Sequence, residues 1–286
     1  MHTDSDTLQR LFSGRQLLVA TKHRKEQVIG PALAAALGVR CTVAPGLDTD
    51  RFGTFTGERS RRDTALATAR SKCLAALATS DCTLAVASEG SFGPHPTMML
   101  VPADDEIVLL IDRRNGLEIA ARQVSLDTNF NAAQVASEAE LVHFAETAQF
   151  PSHALILRAS QGDMNGIRKG ITSWEDLLHS YRTLSAQHTA VHAETDMRAM
   201  HNPTRMRVIE AATGKLIETI SSCCPACTTP GFSVVEVKRG LPCSLCGAPT
   251  QLAVARVYRC ARCEYVREEP VSEAQADPRH CGYCNP

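Results

Sequence analysis

The chain of 286 residues is long enough for two domains, or for one domain with a small module. Hydrophobic residues make up 44% and charged residues 21%, as in an ordinary soluble globular protein, and the net charge of −1 gives no reason to expect nucleic acid or an acidic membrane surface as a partner. No apolar run reaches the roughly 18 residues of a membrane span, and the first residues do not resemble a signal peptide, so we expect a cytoplasmic protein without a membrane partner.

The first part of the chain alternates strand-like and helix-like segments. Short apolar segments predict buried strands at 16–21, 39–45 and 82–88. Helices are predicted at 22–38 and at 63–80, with Asp63 as the N-cap of the second helix. The segment between the two helices is polar and contains three glycines, which is typical of a loop.

The alternation continues through the middle of the chain. Strands are predicted at 98–102, 106–112, 117–125 and 153–159. Helices are predicted at about 132–148, at 173–187 with Ser173 as the cap, and through most of 190–221, where Asn202 and Pro203 begin a new helix. This alternation predicts an α/β domain, with a mixed sheet flanked by helices.

Cysteines are concentrated at the C-terminal end. Nine of the twelve lie between residues 223 and 284, and eight of these form CxxC pairs separated by 15, 13 and 17 residues, close to the spacing of zinc ribbons. Metal binding is therefore favoured over redox-active disulfides, which are the alternative. The predicted ligands are Cys224, Cys227, Cys243, Cys246, Cys260, Cys263, Cys281 and Cys284.

Eight thiolates imply two structural Zn²⁺ ions, each with four sulfurs and no coordination position open to water. The simplest pairing is sequential, in which the first two CxxC pairs form one site and the last two form the other. A cross-braced pairing, in which the first pair joins the third, is the alternative. Cys223 could replace Cys224 as a ligand, although the CPxC pattern favours Cys224. The predicted organisation is an α/β domain (1–189), a helical connector (190–221) and a double zinc-ribbon module (222–286).

The charge of this module bears on its partners. From residue 221 to the end there are seven Lys/Arg against six Asp/Glu, and eight thiolates holding two Zn²⁺ add a net −4. An acidic module is poorly suited to a phosphate backbone, so a docking surface or a cap over the α/β domain is favoured over nucleic-acid binding. The sequence leaves a homo-oligomer open.

Basic residues follow the first predicted strand. Lys22, Arg24 and Lys25 lead directly into a helix, and cationic side chains at a helix N-terminus can bind an anion. A solvated basic turn is the alternative. Further along the chain, Arg198 and Arg205 flank the helix start at Asn202 and could complete the same anion site, or they could form surface ion pairs.

The stretch ASEGSFGPHP follows the third predicted strand. Glu89 stands where that strand is expected to end, which is where ligands bind in open α/β sheets, although a solvated edge residue has the same pattern. Two glycines and two prolines then predict a rigid ligand loop carrying Ser91, Phe92 and His95. Phe92 could stack on a base or lie in the core under the loop, and His95 could be structural.

Several of these segments resemble one known family. ATKHRK, the FGTF loop with Glu58, DTALATARSK and SEG occur in the order found in the inosine/xanthosine triphosphate pyrophosphatase fold, over roughly residues 17–93. The asparagine usual in the first motif is absent. The resemblance implies Mg²⁺-dependent hydrolysis of a nucleoside triphosphate to a monophosphate and pyrophosphate.

The same resemblance implies roles for individual residues. Thr21 and the neighbouring basic side chains would hold phosphates, while Glu58, Asp63 and Glu89 would bind Mg²⁺ and orient water. The whole chain is also similar to a bacterial family of unknown function with terminal zinc cysteines. The sequence thus predicts a Mg²⁺-dependent hydrolase of a nucleoside triphosphate or a related phosphorylated small molecule. The alternative is a non-catalytic phospholigand-binding protein whose zinc ribbons dock a protein or nucleic-acid partner.

Overall fold

The computed structural model describes residues 4–52 and 63–286. These residues form two compact units, one comprising Phe12–Ile217 and the other combining the described residues up to Leu11 with Glu218–Pro286. The first helix, α1, spans Asp4–Phe12. The predicted fold class, α/β with a mixed sheet followed by a small cysteine-rich module, is confirmed.

The larger unit begins with a mixed five-stranded sheet of order β2-β1-β3-β4-β5. Its strands and the two helices between them are β1 (Gln16–Val19), α2 (Glu26–Leu37), β2 (Arg40–Val43), α3 (Ala65–Leu77), β3 (Leu84–Pro94), β4 (Pro102–Asp112) and β5 (Leu117–Ser125). Strand β1 is parallel to β2 and β3, whereas β4 is antiparallel to both β3 and β5. The apolar side chains of α3 pack on one face of this sheet, as the shared core of Ala69, Ala85 and Leu109 shows.

The helix ends follow local chemistry. Helix α2 ends at Gly38, whose φ of 67° is the left-handed conformation that favours glycine. Helix α3 is capped by Thr64, whose hydroxyl accepts a hydrogen bond from the amide of Ala67 at 3.3 Å. The prediction of Asp63 as the N-cap is therefore wrong by one residue, and Asp63 lies exposed before the helix.

Strand β3 is much longer than predicted. It continues through the predicted rigid loop to Pro94 and pairs with β4 along its whole length, so the prediction that Glu89 ends the strand is wrong. Because β1 pairs with β3 only near Val86, the β3–β4 hairpin extends beyond the carboxyl end of β1. The predicted strand at 98–102 is also wrong, since residues 98–101 lie in the turn of this hairpin.

The larger unit also contains a four-stranded antiparallel sheet of order β6-β9-β7-β8. Its strands and the helices between them are β6 (Ala132–Val135), α4 (Glu138–Thr147), β7 (Leu155–Arg158), β8 (Arg168–Ile171), α5 (Trp174–Ser185) and β9 (Val191–Thr195). Helix α6 (Pro203–Ser221) follows and continues beyond Ile217, the last residue of this unit. Leu141 of α4 and Leu177 of α5 pack on Leu155 and Ala193 in one core.

Three helix predictions in this region have a definite outcome. Ser173 caps α5 by accepting a hydrogen bond from the amide of Asp176, and Asn202 caps α6 by accepting one from the amide of Arg205 at 2.9 Å, so both predicted helix starts are confirmed. The helix predicted from 132 begins only after strand β6. The helical prediction for 190–221 is wrong at β9, which lies between two other strands and supplies Val191 and Ala193 to the core.

The cysteine-rich unit contains a three-stranded antiparallel sheet of order β10-β11-β12. Its strands are β10 (Ser233–Arg239), β11 (Ala253–Arg259) and β12 (Val266–Pro270). The sheet buries few large apolar side chains, since β10 and β12 are largely exposed. Across residues 4–52 and 63–286, no helix combines the length and the apolar character required to cross a membrane.

Candidate metal centres and a buried charged site

The eight CxxC cysteines gather into two clusters of four. One cluster joins the first and third pairs, and the other joins the second and fourth: Cys224, Cys227, Cys260 and Cys263, then Cys243, Cys246, Cys281 and Cys284. The pairing is cross-braced, so the sequential pairing, favoured from the sequence as the simplest, is wrong. Strands of the β10–β12 sheet separate the loops that carry the CxxC pairs, and this arrangement brings alternate pairs together.

The spacing of the sulfur atoms fits a tetrahedral zinc site. Four sulfurs at about 2.3 Å from a central Zn²⁺ lie about 3.8 Å from one another. The Sγ–Sγ distances are 3.7 Å for Cys224–Cys263 and 3.6 Å for Cys227–Cys260. They are 3.9 and 3.6 Å for the corresponding pairs of the second cluster. A disulfide requires about 2.05 Å, and every one of these cysteines is free, so the geometry favours the metal over the redox alternative.

The four CxxC loops share one backbone conformation. In each loop the amide four residues after the first cysteine donates to that cysteine's carbonyl, at 2.8–3.2 Å: Thr228 to Cys224, Gly247 to Cys243, Glu264 to Cys260 and Asn285 to Cys281. The amides of Leu245 and Arg262 also donate to the Sγ atoms of Cys243 and Cys260, at 3.4 Å. Such donors stabilise a thiolate, which is the form that binds a metal.

Cys223 does not belong to either cluster. It forms a backbone bridge to Pro230, and its neighbour Cys224 supplies the sulfur to the first cluster, as the CPxC pattern predicts. Phe232 packs against Cys224 and Cys260, and its ring stacks on Tyr258 at 5.6 Å between centroids. The first cysteine cluster thus has a small aromatic core of its own.

A second candidate site lies on the β3–β4 hairpin beyond the carboxyl end of β1. Four charged side chains are buried there: Lys25 is 5% exposed, and Asp104, Glu106 and Arg205 are each exposed by 1% or less. Burial of so many charges is costly unless they are paired or bind a ligand. The turn after β1, the β3–β4 hairpin and helix α6 bring these residues together within the larger unit.

Cross-strand pairing decides which residues share a face. Gly90 is opposite Glu106 and Phe92 is opposite Asp104, so the side chains of Phe92, Asp104 and Glu106 project from the same face of the hairpin, on which Gly90 has no side chain. Glu89 and Ser91 project from the other face, because side chains alternate along a strand. The structure therefore places Glu89 and Ser91 on one face of the hairpin and Phe92 on the other, although the sequence predicted all three in one ligand loop.

Arg205 lies at the centre of the hairpin face that carries Phe92, Asp104 and Glu106. Its Nε donates to Oε1 of Glu106 at 2.7 Å, and Nη1 donates to the carbonyl of Met197 at 2.5 Å. The guanidinium lies 5.1 Å from the centroid of the Phe92 ring. A Cβ on Gly90 would lie well inside van der Waals contact with the Glu106 carboxylate and 2.8 Å from Nη2 of Arg205. Glycine is thus required here so that the ion pair can rest directly on the strand.

Lys25 and Asp104 complete this face. Lys25 Nζ donates to Ser88 Oγ at 3.0 Å and to the Ser88 carbonyl at 3.3 Å. Burial, helped by the charge of Arg205, lowers the pKa of Lys25 to about 7. Burial, helped by the charge of Glu106, raises the pKa of Asp104 to about 8. Both groups therefore titrate near neutral pH, as groups at functional sites often do.

Glu89 belongs to the opposite face, against α3. Its carboxylate forms an ion pair with Lys72 Nζ at 2.5 Å, and the two side chains are 3% and 10% exposed. Lys72 is the last residue of the segment DTALATARSK, but it was not among the predicted site residues. The pair lies close enough to Lys25 for both charges to influence its pKa.

The remaining predicted ligands are distributed around this centre. Thr21 is buried and accepts a hydrogen bond from the amide of His23, whereas Lys22 is exposed and pairs with Asp48 at 3.1 Å. Arg24 has a left-handed backbone with φ of 60°. His95 Nδ1 accepts hydrogen bonds from the amides of Thr97 and Met98 and so organises the hairpin turn. Glu58 lies outside the described residues.

Arg198 is held beside the second sheet. It forms a two-pronged ion pair with the buried Asp196, whose Oδ2 also accepts a hydrogen bond from the amide of Gly170 at 3.1 Å. His201 lies against the same glycine. Burial is the main reason why the pKa of His201 is lowered, and the charges of Arg198 and Arg24 act in the same direction, against the opposing charge of Asp196. Arg24 thus connects this group to the turn that carries Lys25.

Asp104 and Glu106 were missed by sequence reasoning. They stand in the segment PADDEIVLLID, of which only residues 106–112 were interpreted as a strand, so that Asp104 was left outside it. Two acids at alternate positions would have pointed to one face of the sheet had the strand been extended to Pro102.

The fold and the cysteine clusters define an α/β protein with a module of two four-cysteine centres. The family model described as Domain of unknown function (DUF6671) matches residues 72–286, which is more than half of the chain, and the protein belongs to that family. The matched segment includes Lys72, Asp104, Arg205 and all eight clustered cysteines. A search of the curated proteins found no match. Neither comparison supports the resemblance to the inosine/xanthosine triphosphate pyrophosphatases.

Proposed function

We propose that the protein is a Mg²⁺-dependent hydrolase of a phosphorylated small molecule, of the nucleoside triphosphate class, with its site on the β3–β4 hairpin. The observation that carries this proposal is the buried group of Lys25, Asp104, Glu106 and Arg205 beyond the carboxyl end of β1. Ligands of open α/β sheets bind in the crevice outside the carboxyl ends of the strands.

The cations of this region suit a phosphate. The charges of Arg205 and Lys72 both act on Lys25, while Lys72 itself is paired with Glu89 and Arg205 with Glu106. A phosphoryl group would add negative charge beside the buried cations Lys25 and Arg205. Because the pKa of Lys25 is near 7, an anion at its Nζ would draw a proton onto the amine and so strengthen binding.

Separate parts of the chain would perform separate steps. Lys25 and Arg205 would hold phosphate oxygens, with Arg205 kept in place by Glu106 and Met197. The carboxylates of Asp104 and Glu106 on β4 would provide oxygen ligands for the metal ion and would accept a proton from the attacking water. A bound Mg²⁺ would neutralise phosphate charge and orient the attacking water. Phe130, which stacks on Phe92 at 5.6 Å and is 40% exposed, would offer an aromatic surface to a base.

A non-catalytic phospholigand-binding protein is the second candidate. It is favoured by the tight ion pair of Glu89 with Lys72, which engages the carboxylate that the sequence offered as a catalytic group. In that case the same cations would bind the ligand without turnover, and the zinc module would dock a protein partner.

We further infer that each four-cysteine cluster holds one structural Zn²⁺. Four sulfurs at tetrahedral spacing leave no position for a water, which distinguishes such sites from catalytic zinc. The metal would supply much of the folding free energy of a unit whose sheet buries few large side chains.

The test is a release assay for phosphate and pyrophosphate, with zinc-loaded protein, Mg²⁺ and a panel of common and deaminated nucleoside triphosphates. Thermal shift with the same nucleotides measures binding in parallel. Lys25→Met keeps the length and the apolar stem of the side chain and removes its charge. Lys215→Met is the matched control, because Lys215 is exposed on α6.

We expect Mg²⁺-dependent release that is lost in Lys25→Met and retained in Lys215→Met. Binding of a nucleotide without release would identify the non-catalytic alternative. If no nucleotide is bound or hydrolysed, or if Lys25→Met and Lys215→Met behave alike, the proposal is wrong.

A further inference from the structure

We propose that Asp104 and Glu106 form a divalent-cation site, separate from the two four-cysteine clusters and assigned by neither the family match nor the sequence motifs. The inference rests on the proposed function, since this site would hold the Mg²⁺ that accompanies the phosphates. It also relocates that ion from Glu58, Asp63 and Glu89, which the sequence suggested.

The two carboxyls are adjacent on one face of one strand. Asp104 and Glu106 are two residues apart on β4, so their side chains project in the same direction at a spacing of about 7 Å between Cα atoms. Opposite them are Phe92 and Gly90. Since Gly90 has no side chain, the Glu106 carboxylate occupies the space above it, next to Arg205.

Each carboxyl has an oxygen with no partner in the described structure. Oδ1 of Asp104 and Oε2 of Glu106 are buried and accept no hydrogen bond from any residue of 4–52 or 63–286, while Arg205 engages only Oε1 of Glu106. A buried acceptor without a donor costs about 1–3 kcal/mol, and more when it is charged, so two such oxygens on one face call for a ligand.

The chemistry of the unsatisfied atoms selects the class of ligand. When Asp104 is ionised, both unsatisfied atoms are carboxylate oxygens, which only accept, so they require a cation or a donor rather than an anion. A bound cation would displace the proton that the raised pKa of Asp104 otherwise retains at neutral pH. Mg²⁺ binds through one or two carboxylates together with waters and substrate phosphates, and it prefers oxygen to sulfur. The neighbouring Lys25 and Arg205 would repel a bare cation, and phosphate oxygens bound to those two residues would offset that repulsion while completing the coordination.

The opposite face of β4 offers a matched control. Asp105 lies between the two acids in sequence, projects from the other face and forms an ion pair with Arg122 through two hydrogen bonds. Asp104→Asn and Asp105→Asn therefore make the same chemical change at neighbouring positions, inside and outside the proposed site.

The experiment is a titration of the zinc-loaded full chain with Mn²⁺, which replaces Mg²⁺ at oxygen sites and is observed directly by electron paramagnetic resonance. We expect one bound Mn²⁺ per chain in the wild type and in Asp105→Asn. Asp104→Asn should weaken Mn²⁺ binding by more than about tenfold, because even indirect partners of a metal ion are worth 10–100-fold. Zinc content and the fluorescence of Trp174 confirm that each variant is folded.

No stoichiometric Mn²⁺ in the wild type, or equal binding by both variants, would overturn the inference. The proposed function is judged separately by the release assay. If Asp104→Asn retains Mg²⁺-dependent turnover, this cation site is refuted but the hydrolase proposal is not. If only Asp104→Asn loses Mn²⁺ and no variant shows turnover, the cation site is supported and the hydrolase proposal is refuted.

Discussion

Substitution of Gly90 by alanine tests how closely the charged group packs on β3. The added methyl group would enter the space of the Glu106 carboxylate and approach Arg205 Nη2 to 2.8 Å. Neither side chain can move away freely, because Glu106 is fully buried and Arg205 is fixed by three hydrogen-bonded or stacked partners. Gly90→Ala must therefore strain the strand or separate the ion pair.

The magnitude follows from these two outcomes. Overpacking of a filled interior costs about 1–3 kcal/mol, and breaking a buried ion pair costs about 3–5 kcal/mol. We therefore expect Gly90→Ala to lower the free energy of unfolding of the larger unit by about 3 kcal/mol. With a urea dependence of roughly 3 kcal/mol per M for a unit of this size, the unfolding midpoint should fall by about 1 M.

The assay is urea unfolding followed by the fluorescence of Trp174, the only tryptophan of the chain. It packs against the core of the larger unit, edge-on to Phe150 at 4.8 Å, and so reports on that unit. Gly93→Ala is the control, because a Cβ at Gly93 on the same strand meets nothing within 4 Å. Midpoints for Gly90→Ala and Gly93→Ala that agree within about 0.2 M would refute the packing argument.

Three further predictions concern the ion pair of Lys72 with Glu89, the two cysteine clusters, and the pH dependence of stability. Lys72→Met should destabilise the larger unit by about 3 kcal/mol in the same urea assay, because it removes the cation beside the buried carboxylate of Glu89. The double substitution Cys227→Ser with Cys263→Ser should reduce the zinc content measured by mass spectrometry from two ions per chain to one, since both ligands belong to one cluster. Asp104→Asn should become progressively more stable than the wild type between about pH 5 and pH 8, measured by urea unfolding in Mg²⁺-free buffer.

The sign of the pH prediction follows from the raised pKa of Asp104. A carboxyl whose pKa is about 8 in the folded chain and 3.8 in the unfolded chain stabilises the fold while protonated, and that stability is lost as the pH rises towards 8. Asparagine resembles the protonated form at every pH. A stability difference that does not change with pH would contradict the assignment. The lowered pKa of Lys25 makes the stability rise with pH above pH 7. Lys25 is present in both the wild type and Asp104→Asn, so this effect is common to the two proteins.

The other two predictions have internal controls. Replacing Lys72 and Glu89 together by methionine should recover much of the stability lost in Lys72→Met, and a double variant as unstable as the single one would show that the ion pair is not the cause. The zinc control is Cys227→Ser with Cys246→Ser, which removes one ligand from each cluster. If that variant keeps one intact site while Cys227→Ser with Cys263→Ser loses both, the pairing is sequential after all.

Elements with a clear local signal were predictable from the sequence. Strand β5 was predicted within its observed bounds, and Ser173 and Asn202 were recognised as caps because a cap is decided by the few residues around it. The CxxC pairs were recognised for the same reason. Their cross-braced pairing was not predictable, since both pairings satisfy the same local spacing and only the arrangement of β10, β11 and β12 separates them.

The candidate site was predictable only in part, because it is formed by contacts distant in sequence. Gly90 was interpreted as part of a loop, whereas its lack of a side chain allows Glu106 and Arg205 to pack on a strand. Lys25 and Arg205 were identified as cations near a ligand, but their partners Ser88 and Glu106 depend on tertiary structure. Strand β6 was interpreted as helix because its four residues have little periodicity of their own.

The most direct test of the charged site is a crystal structure of the zinc-loaded protein with Mg²⁺ and a non-hydrolysable nucleoside triphosphate. We predict phosphate oxygens within hydrogen-bonding distance of Lys25 and Arg205, and a metal ion bound by Asp104 and Glu106. A nucleotide bound elsewhere on the molecule, or this face filled only by ordered water in the presence of saturating nucleotide, would contradict the account.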